Sequence, residues 1–172
     1  MSTIEFDESL KATLAKLDGL PALIEKKLVR GALRAAAKPL KLAAQQKAPV
    51  GLPRVSYTAS GQAISHPGGD LKRSIRVSST FSKRTGEIKV LVKAGDYKAW
   101  YAHLVEYGAK AHLIKGPISF GGRHYMNIDH PGFQGKPFMR PAFDSTAQAV
   151  VDAYAAYMTA NIPKALEKYG RT

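Results

Sequence analysis

The spacing of apolar residues changes along this chain of 172 residues, and that change limits the folds open to it. Before residue 48 the apolar side chains recur at the period of one helix face: Ile24, Leu28, Ala32, Ala36, Leu40 and Ala43. From about residue 74 the period becomes two, as in a β-strand with one buried face: Ile75, Val77 and Phe81, then Ile88, Val90 and Val92. The pattern therefore predicts helix first and a β-hairpin afterwards.

We predict a single α+β domain over 1–172, because this length builds one substantial core. A small antiparallel sheet, formed by the hairpin plus one or two strands, is packed by a long N-terminal helix, a short middle helix and a C-terminal helix. The predicted parts are a helical N-terminal part (1–47), a long surface loop (51–71), the hairpin (72–94), a short helix (97–108), a segment of loop and short strands (109–137) and the C-terminal helix (139–169). Pro39 is expected to kink or split the long helix, and Pro163 to end or bend the last one.

Two aromatic segments supply the predicted structural anchors. In WYAHLVEYG the residues Trp100, Tyr101, Leu104 and Val105 share a helix face, which is expected to clamp the short helix onto the sheet. In PFMRPAF the expected core anchors are Phe138 and Phe143. Glu106 is expected to bind a backbone amide or a basic side chain, in its own subunit or the next, and Arg140 to make a polar contact between subunits.

The net charge of +13 points to an acidic partner, either nucleic acid, a membrane surface or an acidic protein face. Basic residues cluster on or near the predicted hairpin, where they could contact DNA or an acidic protein: Lys72, Arg73, Arg76, Lys83, Arg84, Lys89 and Lys93. Phe81 belongs to the predicted apolar face of the hairpin, which leaves no aromatic side chain to stack on bases, so sequence-specific binding is not expected. An ordinary solvated surface with surplus lysine is the alternative reading.

The candidate catalytic and metal-binding groups match no established pattern. His103 and Glu106 could form an acid–base pair, but no nucleophile motif lies nearby, and an exposed ion pair on a short helix is the favoured explanation. Four histidines, His103, His112, His124 and His130, lie near Asp129, yet their spacing fits no zinc signature, and the chain has no cysteine. We therefore predict no enzyme activity, no cofactor and no metal.

No apolar run approaches the roughly 20 residues needed to cross a membrane, which predicts a soluble protein made in a cytoplasm.

Four motifs occur in a recognisable order. AlaProVal at 48–50 closes the long helix, GlyAspLeuLysArgSerIle at 69–75 begins a strand, TyrAlaHisLeuValGluTyrGly covers 101–108, and LysProPheMetArgProAlaPhe covers 136–143. Together they resemble the tail-completion, or head–tail joining, family of long-tailed bacteriophages, which includes proteins similar to the minor tail protein Z of lambdoid phages. The resemblance covers about residues 20–160. About fifteen extra residues, 52–68, depart from the family pattern, so the role of that loop cannot be carried over.

The resemblance implies a virion structural protein of the tail and neck, assembled in the host cytoplasm and without enzyme activity. It implies a homo-oligomeric ring, with a hexamer expected, between the tail terminator and the head connector or stopper, around double-stranded DNA. The expected subunit or partner contacts are Glu106, Arg140, Tyr57, His66 and His124. One alternative is a non-specific DNA-binding protein that uses the basic hairpin, and another is a metal-dependent hydrolase built on the loop histidines.

Overall fold

The computed structural model of this protein describes residues 8–51, 54–57, 61–66, 68–120 and 123–170. Its α-helices are α1 (Glu8–Ala15), α2 (Ala22–Lys47), α3 (Asp70–Ser74), α4 (Ala102–Tyr107) and α5 (Met139–Tyr169), and a 3-10 turn (Lys16–Gly19) follows α1. Its strands are β1 (Arg54–Tyr57), β2 (Ala63–His66), β3 (Arg76–Phe81), β4 (Ile88–Lys93), β5 (Gly108–Ala109), β6 (His112–Phe120), β7 (Arg123–His130) and β8 (Phe133–Gln134). The predicted α+β class is confirmed.

Helix α2 packs against both helices and strands. Helix α5 lies along it, and strands β3 and β4 and helix α3 also contact it. Pro39 does not split α2, and Pro163 does not end α5, because both helices continue past their proline. Packing against neighbouring elements compensates for the backbone hydrogen bond that each proline removes.

The core has two parts, at the two ends of the α2–α5 pair. The first is formed where α2 and α5 meet the N-terminal turn, by Leu17, Leu20, Leu28, Ala32, Met158, Ile162 and Ala165. The second gathers residues from α2, α3, α4 and α5, namely Ala44, Ala48, Leu71, Ile75, Ala102, Phe138 and Ala142. Small alanines on α2 in both clusters let the neighbouring elements approach its backbone closely.

Each strand of the described residues pairs antiparallel with one other strand, so the strands form two-stranded ladders rather than one small sheet. The β3–β4 hairpin pairs Arg76 with Lys93 and Phe81 with Ile88. The segment 51–71, predicted as a loop, contains the β1–β2 ladder, and α3 begins at its end, so that prediction is wrong. Four-residue strands are too short to establish a period of two against a background rich in glycine, proline and serine.

Strands β6 and β7 form a long hairpin, which we name the arm (residues 112–130). Among the described residues its strands pack mainly against one another rather than against the helices. Apolar side chains on the arm therefore face solvent, including Leu113, Ile114 and Met126. The sequence predicted a segment of loop and short strands over 109–137, but it did not predict an element that lies outside both core clusters.

The first core cluster should be most sensitive to loss of volume at Met158, which is fully buried between the helices. We expect Met158→Ala to lower the free energy of unfolding by about 2–5 kcal/mol, because it leaves a cavity that the long helices cannot close. Met126→Ala is the matched control, since this methionine is 71% exposed, and a change of about 0.5 kcal/mol or less is expected. Urea unfolding followed by circular dichroism measures both, and equal losses would contradict the assigned core.

Candidate functional site

The Glu106 carboxylate lies at the N-terminus of α5 and accepts hydrogen bonds from three successive backbone amides. Its Oε2 is 2.8 Å from the nitrogen of Phe138 and 2.9 Å from that of Met139, and its Oε1 is 3.1 Å from the nitrogen of Arg140. The first N–H groups of a helix have no partner within the helix. Phe138, the N-cap residue, supplies no side-chain bond, so a glutamate 32 residues earlier caps this helix. We name this arrangement the Glu106 clamp.

The charge of Glu106 suits this position. The side chain is buried, with 8% of the residue exposed, and burial alone would raise the pKa of its carboxyl group. The three backbone donors, together with the Arg140 guanidinium, outweigh burial and hold the pKa below the usual value for glutamate. The positive end of the α5 dipole also favours an anion here. Glu106 is therefore an ionised structural group rather than a proton donor.

Backbone pairing holds the two ends of the clamp together. The amide of Lys136 donates to the carbonyl of Val105 at 2.7 Å, and Gly108 pairs with Gln134 between β5 and β8. Gly108 has φ 76° and ψ −172°, a conformation that is essentially restricted to glycine. A Cβ atom at Gly135 would lie 2.7 Å from the carbonyl oxygen of Glu106. The two backbone segments therefore approach too closely for a side chain at Gly108 or Gly135.

Phe138 connects the clamp to the core. It is 1% exposed and belongs to the second core cluster, with Ala102 of α4, Ala142 of α5 and Ala44 of α2. The same residue donates its amide to Glu106. The clamp therefore fixes the start of α5 relative to α2 and α4.

Other predicted anchors lie elsewhere. Trp100 is 66% exposed and precedes α4, and Phe143 is 56% exposed on the first turns of α5, so the prediction that both are buried anchors is wrong. Helix α4 begins only at Ala102, which removes Trp100 from the helix face on which the prediction placed it. Tyr101 and Leu104 are half-buried, and Tyr101 packs against the second core cluster.

Neither the candidate acid–base pair of His103 and Glu106 nor the alternative exposed ion pair between them is formed. Glu106 binds the backbone of α5, while Nδ1 of His103 lies 3.1 Å from the carbonyl oxygen of Trp100. Among the described residues no three His, Asp or Glu side chains are grouped so that they could hold a metal ion. His112 and His130 stack across the arm with ring centroids 5.0 Å apart.

The predicted interface residues are scattered. Glu106 is buried and binds the backbone of its own subunit, and its contact between subunits stays a prediction. Arg140 is exposed beside it, and His124 is exposed on the arm. Tyr57 and His66 end the strands β1 and β2, and their side chains lie outside what the structure describes.

Several members of the predicted basic set have partners within the protein. Arg73 pairs with Asp70 at 2.6 Å, and Lys89 pairs with Glu87 at 3.1 Å. Arg76 donates to the carbonyl oxygen of Ser74 at 3.1 Å and to that of Gly95 at 2.6 Å. The remaining members are exposed: Lys72, Lys83, Arg84 and Lys93.

Sequence reasoning missed a second basic surface. Helix α2 carries exposed or half-exposed basic residues along one side: Lys26, Lys27, Arg30, Arg34, Lys38 and Lys41. The sequence shows the helical spacing of these basic residues. The prediction of the helix uses only its apolar residues, so the basic side was missed.

We expect Glu106→Gln to lower the free energy of unfolding at pH 7 by about 2 kcal/mol, because it removes a charged acceptor and places an amide donor against backbone donors. Glu87→Gln is the control: Glu87 is exposed, and its surface ion pair should contribute about 1 kcal/mol or less. Urea unfolding compares the two variants. Equal, small losses would show that the clamp does not stabilise the fold.

The stabilisation by Glu106 should depend on pH. Because the pKa of its carboxyl group is lower in the folded protein, its contribution is fully present above the unfolded pKa of about 4.3 and is lost as the pH falls through the folded pKa. The difference in unfolding free energy between the wild type and Glu106→Gln should therefore be constant from about pH 6 to 8 and shrink below about pH 4.3. A difference that grew on acidification would have the wrong sign.

The clamp joins two of the motifs that carry the family resemblance, TyrAlaHisLeuValGluTyrGly and LysProPheMetArgProAlaPhe. Among the described residues no helix is both long and apolar enough to span a membrane. Comparison with curated proteins and with solved structures gave no match. A family model described as "Bacteriophage HK97-gp10, putative tail-component" matches residues 10–108, which are 99 of the 172 residues and include Glu106. This chain therefore belongs to the HK97-gp10-like family and is a structural component of a bacteriophage tail.

Proposed function

We propose that copies of this chain form a ring at the head-proximal end of the tail, complete the tail there and join it to the head connector around the DNA channel. The ring is a hexamer, which matches the sixfold symmetry of the tail. Its neighbours are the tail terminator on one side and the head connector or stopper on the other. The protein acts in the neck of the virion, is assembled in the host cytoplasm, and needs neither enzyme activity nor a cofactor.

The observation that carries the proposal is the arm. A two-stranded hairpin is marginally stable alone in water, and apolar surface left exposed on such an element marks a protein–protein contact. Leu113 is 48% exposed, and the exposed fraction of Met126 is larger. Contact with a neighbouring subunit would bury these side chains and order the arm.

A ring also requires a second, different surface on each subunit, because its contacts are heterologous. Segments that meet at the Glu106 clamp carry exposed aromatic side chains: Tyr97, Trp100, Tyr107, Phe133 and Phe143. Aromatic side chains are enriched in interface cores and among the residues that contribute most to binding. Trp100 and Phe143, which do not anchor the core of the protomer, are therefore assigned to the contact that receives an arm or a neck protein.

The oligomer should depend on the apolar side chains of the arm. We expect light scattering to give the mass of about six subunits for the wild type and of a monomer for the double variant Leu113→Ser with Met126→Ser, since the contact loses its buried area. The control on the same strands is Lys115→Ser with Asn127→Ser, two exposed polar positions that pair with each other. Unchanged mass in the apolar variant, or an equal loss in the control, would contradict the role of the arm.

The joining role has a separate test. In a lysate of a phage that lacks this gene product, full heads and free tails should accumulate, and purified protein should restore joined particles that are counted by negative-stain electron microscopy. The arm variant should fail to restore them. Joined particles in the untreated lysate would contradict the proposal.

A further inference from the structure

The basic side of α2 is a separate surface from the arm and the exposed aromatics. Lys26, Lys27, Arg30, Arg34, Lys38 and Lys41 fall within an arc of about 120° of the helix, at 3.6 residues per turn. From first to last they extend about 22 Å along the axis. We name these six residues the α2 stripe.

The charge of the stripe is not balanced within the described residues. Helix α2 has one acidic residue, Glu25, which lies about 100° away from the nearest member of the stripe. The ion pairs of the described residues, Arg73 with Asp70 and Lys89 with Glu87, do not include a member of the stripe. Lys26, Arg30, Arg34 and Lys38 follow one another at intervals of four, where like charges repel and destabilise a helix.

The stripe continues into the β3–β4 hairpin. The Lys26 Nζ atom lies 5.5 Å from the ring centroid of Phe81, and the Arg30 guanidinium carbon lies 6.0 Å from it. Phe81 ends β3, and the turn that follows carries Lys83 and Arg84, both exposed. One side of α2 and the tip of the hairpin therefore form a joined basic surface.

We propose that the α2 stripe binds the phosphate backbone of double-stranded DNA, without sequence specificity. A duplex carries one negative charge per about 1.7 Å of its axis, so it presents about 13 phosphates over the length of the stripe. Lysine and arginine side chains contact phosphate oxygens, and such contacts position a protein on a duplex without reading its sequence. This inference deepens the proposed function, on which it rests, because a ring around the DNA channel places duplex DNA beside each subunit.

The test is the salt dependence of binding to a fluorescently labelled 25-base-pair duplex, measured by anisotropy with the full chain between 50 and 200 mM salt. The stripe variant is the triple substitution Lys27→Gln, Arg34→Gln and Lys38→Gln, all at exposed positions. Its matched control is Lys110→Gln, Lys136→Gln and Lys164→Gln, which removes the same three charges from other exposed positions. Circular dichroism of both variants verifies that they fold.

We expect the stripe variant to weaken binding at 100 mM salt by about tenfold or more, and to reduce the slope of log affinity against log salt by about 2.7. The control should leave the slope close to that of the wild type. Equal effects of the two triple variants would overturn the inference in favour of a response to net charge. A wild type that does not bind the duplex at 50 mM salt would overturn it as well.

Two further readouts separate the outcomes. Polyglutamate at equal charge concentration should displace the duplex poorly, and displacement as effective as that by unlabelled duplex would overturn the inference in favour of an acidic protein face. Light scattering on the same samples reports the ring independently. DNA binding that depends on the stripe, in a protein that forms no ring, would refute the proposed assembly and support the role of the stripe. A ring whose DNA binding is unchanged in the stripe variant would support the assembly and refute the role of the stripe.

Discussion

The carboxylate of Glu106 at the N-terminus of α5 is the interaction on which the rest of the structure depends. It accepts hydrogen bonds from three backbone amides at the start of α5 and so joins the short helix α4 to that long helix. Because Phe138 both donates one of those bonds and fills the second core cluster, capping and packing are coupled at one residue. Around them, Gly108 and Gly135 allow the two chain segments to approach at backbone distance. Because three backbone amides donate to its carboxylate and its pKa lies below the usual value, Glu106 is ionised near neutral pH and is not a proton donor there.

The sequence predicted the parts of the fold that have a long, regular pattern. Helix α2 and the β3–β4 hairpin both show a sustained apolar period, and the α+β class followed from the change between those periods. It also predicted that Glu106 would bind a backbone amide or a basic side chain, and the structure identifies the amides. The residue type and its place in a motif were enough for the first statement. Only the fold could supply the partners, which lie more than thirty residues away.

Each wrong prediction has a physical cause. The sequence pattern predicts Trp100 on a helix that in fact begins two residues later, and a shift of that size moves a side chain off the buried face. Phe143, predicted as a core anchor of PFMRPAF, is exposed, and interfaces use the same aromatic residue types as cores. The strands β1 and β2 are too short to show a period. The spacing of the α2 stripe is visible in the sequence. Whether those residues form an exposed surface depends on which side of α2 the other elements cover.

The molecule thus divides into a scaffold and surfaces that face outward. The scaffold consists of the two core clusters and the clamp, and it is complete within one chain. The arm, the exposed aromatic side chains and the α2 stripe lie outside it, with apolar groups on the first two and charge on the third. This division suits a tail component, which must fold before assembly and then make several contacts at once. Glu106 belongs to the scaffold, because it is buried and caps α5 within one chain.

Amide hydrogen exchange, measured by mass spectrometry on the protein as isolated and on joined phage particles, tests this division most directly. The account predicts that peptides containing Phe138, Met139 and Arg140 exchange slowly in both samples, whereas peptides of the arm exchange quickly in the isolated protein and slowly in the particle. Rapid exchange at the start of α5 in the isolated protein, or an arm as protected before assembly as after it, would contradict the account.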